Sequence, residues 1–94
     1  MKWKDVKEGK LIRMIAWDVS SNKKIITKVL IISEKHRIKE KGKIKEWYDA
    51  AIFDGNEYIQ KIKFTRSDMR ASHKIINDHK LSIKLFKNYI SECI

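Results

Sequence analysis

The side chains best suited to hold a transition metal are His36, His73, His79 and Cys93. The three histidines lack zinc-ligand spacing, and Cys93 stands far from the first two. Asp49, Asp54 and Glu57 would be the donors for a divalent cation, but Asp54 and Glu57 bracket Asp54-Gly55-Asn56, where an aspartate serves the backbone of a tight turn. Neither a nucleophile–base arrangement nor a glycine-rich phosphate loop is visible. The expectation is a protein without metal, cofactor or catalytic centre, which works by binding.

Charge supplies the binding chemistry. The 94 residues hold 22 Lys and Arg against 12 Asp and Glu, a formal net charge of +10. Such a balance attracts phosphates, acidic peptides or anionic lipid surfaces. Lys61 and Lys63 alternate with apolar residues and so share one face of a strand. With Lys84 and Lys87 on a later strand they are the first candidates for a cationic groove, which Arg66 and the loop residues Lys35 and Arg37 extend. Trp47 is the aromatic best placed to stack a base or to anchor an amphipathic partner. The plainer alternatives are that lysines on an edge strand prevent aggregation and that Trp47 packs at the rim of the core. Trp3 and Trp17 read as packing residues.

The elements that must position these groups follow from the hydrophobic pattern. Asp5 and Glu8 have the form of a capping box. Leu11, Ile12, Met14 and Ile15 then recur at helical spacing, so the first segment reads as a helix that Gly9 weakens by about 1 kcal/mol. Ile25 to Ser33 is a β-branched run, a strand buried over much of both faces. Glu34 to Lys45, dense in Lys and Arg around Gly42, reads as a basic loop or loose hairpin arm. Glu46–Phe53 and Tyr58–Phe64 flank Asp54-Gly55-Asn56 as a β-hairpin. Thr65 or Ser67 caps a second helix running to about Lys80, and Leu81 to Ile90 alternates as a closing strand. The expected fold is mainly β: one domain over 1–94, an oligonucleotide-binding-type Greek-key barrel with an N-terminal helix, a helix between strands three and four, and a missing fifth strand.

The ordered set resembles the N-terminal domain of the large subunit of replication protein A, the eukaryotic single-stranded-DNA-binding complex. Glu8-Gly9 followed by Leu11, Met14 and Ile15, then Asn22 before the aliphatic strand Ile25–Ile32, and Tyr48 through Asp54-Gly55 carry the resemblance. It departs at Phe53, where the family usually has Ser, and at Ser33, Trp47 and Asp49, where the family tends to place basic residues. The resemblance implies a nuclear recruitment module in DNA replication and repair. Its basic groove, with Lys61 and Lys63 on one wall, would hold acidic amphipathic segments of repair and checkpoint proteins. It would also bind single-stranded DNA weakly and reach the other subunits of the complex through regions outside this chain.

Two other readings of the residues stand beside this one. One is a dedicated single-stranded nucleic-acid binder of telomeric or RNA-binding type, using Trp47 and Tyr48. The other is a structural subunit that pairs through an open sheet edge. The lone cysteine, Cys93, fits a reducing intracellular compartment, and no apolar run of about 18 residues suggests a membrane span.

Overall fold

The computed structural model describes residues 2–93, and of Ala16, Trp17, Ala71 and His73 the backbone only. The readings of Trp17 as a packing residue and of His73 as a metal donor therefore fall outside the described side chains. A 3-10 turn over Trp3–Asp5 leads into β1 (Leu11–Asp18), β2 (Lys23–Ile31), β3 (His36–Glu40), β4 (Lys43–Asp54) and β5 (Glu57–Phe64). A second 3-10 turn over Arg66–Ala71, β6 (Ser72–Ile76) and α1 (His79–Cys93) complete the order.

The fold is mainly β, an antiparallel sheet of six strands with a C-terminal helix, compatible with a small barrel of the expected type. Strands β1, β2 and β4 lie side by side, β5 flanks the far edge of β4, and β6 returns to lie beside β1. A late strand returning beside the first is the Greek-key relation. β3 takes up where β2 leaves off and pairs with the first part of β4, His36 opposite Trp47 and Glu40 opposite Lys43. Ser33 sits in the bend between them, its hydroxyl accepting the Asp49 N–H at 2.8 Å.

The central strands are buried on both faces. Ile12, Val29, Ile31, Ala50 and Phe64 point into one cluster, with Val6 and Tyr48, over which Trp3 and Met69 close. The Tyr48 hydroxyl donates to the Val6 carbonyl at 2.7 Å, which ties the N-terminal segment onto this cluster. Leu11, Leu30, Ala51 and Phe53 point the other way, beneath Leu85 of α1. Burying each large side chain contributes about 1.5–3 kcal/mol. Three consecutive buried residues, Val29, Leu30 and Ile31, fulfil the expectation of a strand covered on both sides. The turn at Gly55-Asn56 joins β4 to β5 as expected.

Three expectations are corrected. The N-terminal helix is a single 3-10 turn, and Leu11 to Ile15 belong to β1. Asp5 accepts the Lys2 N–H at 3.0 Å instead of capping a downstream helix, and Gly9 sits at φ 86, outside the helical region. Leu11 and Ile12 face opposite sides of a doubly covered sheet, so an apolar run appeared where a helical stripe was read. The second helix is also one 3-10 turn, tightened by the Thr65 N–H donating to Asp68 Oδ2 at 2.7 Å, and Ser72 onward is strand.

The last segment is a helix and not the closing strand. Asp78 Oδ1 accepts the Leu81 N–H at 3.0 Å as its N-cap, and Leu81, Leu85 and Tyr89 form the stripe that covers the sheet. β6 extends the sheet beside β1, so a strand lies where the helical reading had placed none.

Candidate polyanion-binding groove

β4 outruns its barrel neighbours. Ala50 to Phe53 pair with β2 on one edge and β5 on the other, whereas Lys43 to Trp47 pair with β3. The β3–β4 hairpin therefore projects as a two-stranded arm, and every residue of β3 is exposed. Lys41 and Gly42 form its tip with φ of 50° and 77°, the paired positive values of a two-residue turn whose twist suits the strands. The expectation of a basic loop or hairpin arm resolves to the arm.

Where the arm leaves the barrel, three strands place three side chains in a row on one face. Trp47 on β4 stacks against His36 on β3, with centroids 5.2 Å apart and planes 20° from parallel. Lys63 on β5 lies over the same indole, its Nζ 5.0 Å from the ring centre. Asp49, next on that face, accepts from His36 Nε2 at 3.1 Å and stands opposite Lys63 in register. Both neighbours of the indole come from adjacent strands, so pairing register alone brings them together.

The other face of the arm base is an ion-pair cluster. Glu46 meets Arg66 at 3.2 Å and Lys35 at 3.6 Å, and Arg37 is its partner across the ladder. The hydrogen bond from the Arg66 guanidinium holds the Glu46 carboxyl below the ordinary glutamate range; partial desolvation opposes this, and the Lys35 and Arg37 charges add to it. Arg66 also lies 5.5 Å from the centre of the Trp3 ring. Between these groups runs an open groove of about 500 Å³, lined by Ile38, Ile44, Trp47, Lys63, Thr65 and Arg66 together with Glu40, Lys45 and Glu46.

Of the expected site residues, Trp47, Lys63 and Arg66 line this groove, and Lys35 and Arg37 reach its edge through Glu46. Lys61 is exposed two residues before Lys63, opposite Ala51, and does not line the groove. Lys84 and Lys87 are corrected: they lie on α1, not on a strand, because the Asp78 cap starts a helix there. Lys87 borders a different cleft, of about 400 Å³, beside Ile83 and Phe86. Trp3 is a packing residue as expected, edge-on to Tyr48 at 5.4 Å. Asp54 and Glu57 face each other across the β4–β5 turn.

Sequence reading missed His36 as the indole's partner and Ile38 and Ile44 as exposed apolar lining, 44% and 53% accessible. The signal was Gly42. Placing the hairpin tip at Lys41-Gly42 pairs Glu40 with Lys43, and counting back from there sets His36 opposite Trp47.

No protein-family model, curated protein or solved structure matches the chain.

Proposed function

We propose that the chain is a non-catalytic recruitment module that captures acidic, amphipathic segments of partner proteins in the groove at the base of the β3–β4 arm. In the setting that the likeness to replication protein A implies, this would be nuclear recruitment during DNA replication and repair, with weak single-stranded-DNA binding as a secondary property. The observation that carries the reading is the state of Trp47. His36 stacks on the indole and Lys63 lies over it, so a nucleic-acid base that stacks there competes with groups already in place. A peptide needs only the indole edge and the neighbouring isoleucines for its apolar side, with Lys63 and Arg66 in the groove, and Arg37 and Lys61 outside its lining, meeting its carboxylates. Such attraction speeds association and weakens with salt.

The test is fluorescence anisotropy at low and moderate salt with two probes, an acidic amphipathic peptide and a single-stranded oligonucleotide. The peptide is expected to bind at least as tightly as the oligonucleotide. Lys61→Glu together with Lys63→Glu is expected to weaken it tenfold or more, and Trp47→Ala to do the same at unchanged salt dependence. Oligonucleotide binding alone, lost on Trp47→Ala, would overturn the reading in favour of a nucleic-acid module.

A further inference from the structure

The outer part of the arm carries a second message, on residues that, Arg37 at the groove's edge apart, lie beyond the groove. Arg37 and Lys39 of β3 point to one face of the ribbon, because they stand opposite Glu46 and Ile44. Lys43 and Lys45 of β4 point to the other face, opposite Glu40 and Ile38. Lys41 occupies the tip. The acids along the ribbon are already held: Glu40 by Lys45 at 3.3 Å, and Glu46 by Lys35 and Arg66. Arg37, Lys39, Lys41 and Lys43 make no ion pair among the described residues, and all four are exposed.

Cations on both faces of a thin, projecting ribbon suit a target with anionic walls on two sides. A flat anionic surface would engage one face and leave the other in water. The major groove of B-form DNA is about 12 Å wide and 8.5 Å deep, and it admits a two-stranded β-ribbon. A single sheet with its side chains is about 10 Å thick, and five residues of strand at about 3.4 Å each extend roughly 17 Å. The outer half of the arm fits such a groove tip-first, with Lys39 and Lys43 turned to opposite phosphate walls. The geometry points to duplex DNA, held through its backbone by insertion of the β3–β4 arm into the major groove. This goes beyond capture of an acidic segment and rests on the tip, whereas that reading rests on Trp47 and Lys63 at the base.

The contact is electrostatic and reads phosphates, so it carries little sequence preference. Four phosphate contacts give a slope of log affinity against log salt of about −3.5, a loss on the order of 100-fold between 50 and 200 mM salt.

The experiment is anisotropy of a labelled 16-base-pair DNA duplex, a matching RNA duplex, the single strand, and vesicles containing phosphatidylserine. The variant removes the four free cations, Arg37→Ala, Lys39→Ala, Lys41→Ala and Lys43→Ala together. A control removes four exposed lysines elsewhere, Lys4→Ala, Lys7→Ala, Lys23→Ala and Lys80→Ala. The expected result is duplex DNA bound more tightly than the other three targets. Affinity should fall at least tenfold in the arm variant and much less in the control, with the salt slope flattening by 3 to 4 units. Circular dichroism matched to the parent protein shows that the variant remains folded. Equal loss in variant and control, tighter binding to A-form RNA, or binding confined to vesicles would each overturn the inference. Trp47→Ala should leave duplex binding intact, which separates failure here from failure of the groove.

Discussion

The two ends of β4 belong to one strand and obey opposite rules. From Ala50 to Phe53 the strand has neighbours on both edges, and Ala50, Ala51 and Phe53 are wholly buried. From Lys43 to Trp47 it has β3 beside it, and its first three residues are exposed. The inner end contributes apolar burial, which holds the barrel together. The outer end contributes charge and an aromatic side chain at the surface. A continuous strand thus transmits the rigidity of a packed core to an arm that has almost no core of its own.

The sharpest way to break this contrast is to truncate one apolar side chain at each end. Phe53→Ala is expected to cost about 3–5 kcal/mol, since it opens a cavity between the sheet and α1. Ile44→Ala, on the exposed arm, should change stability by no more than about 0.5 kcal/mol. Urea unfolding of both variants decides it. Comparable losses would mean that the arm belongs to the cooperative core.

The next test concerns how the N-terminal segment is fastened to the inner end. Tyr48→Phe keeps the ring and removes the hydroxyl that donates to the buried Val6 carbonyl. The expected cost is about 1–3 kcal/mol, the range for leaving a buried acceptor without its donor. Protection of the amides before β1 from hydrogen exchange should fall with it. A smaller step is Asp78→Ala, which removes the N-cap of α1 and should cost about 1 kcal/mol, seen in thermal melts followed by far-ultraviolet circular dichroism.

How much of this could be read from sequence differs along the same strand. The hairpin around Gly55 and the doubly buried run at Val29–Ile31 were legible because turn chemistry and apolar continuity are local signals. Leu11–Ile15 and Leu81–Leu85 were misread in opposite directions for one reason. A strand covered on both faces loses its alternation, and a short amphipathic helix with apolar residues at 81, 83 and 85 mimics it. The local signal for the helix is Asp78, whose carboxylate caps it. At the candidate site the residue types were legible and the partnerships were not. Lys63, Arg66 and Trp47 line one groove, but their meeting depends on register across strands, and Lys84 and Lys87 lie on a helix whose alternation mimics a strand.

The smallest expected effect sits at the hinge between the two ends of β4, in Glu46. Arg66 hydrogen-bonds its carboxylate and holds its pKa below the usual value, with Lys35 and Arg37 assisting. A carboxyl whose folded pKa is depressed favours folding fully at pH above the ordinary glutamate value of 4.5, and that contribution fades as pH falls from there through the folded pKa. Arg66→Ala should therefore move the Glu46 titration upward in a carboxyl-resolved NMR experiment. It should also lower stability slightly above pH 4.5, where the contribution is fully present, and flatten the acid limb over that window; the loss stays small because the Arg66 partner is exposed and such pairs contribute little. An unmoved Glu46 titration would mean that Lys35 and Arg37 suffice to hold the carboxylate, and that Arg66 at the groove wall is free to meet a ligand.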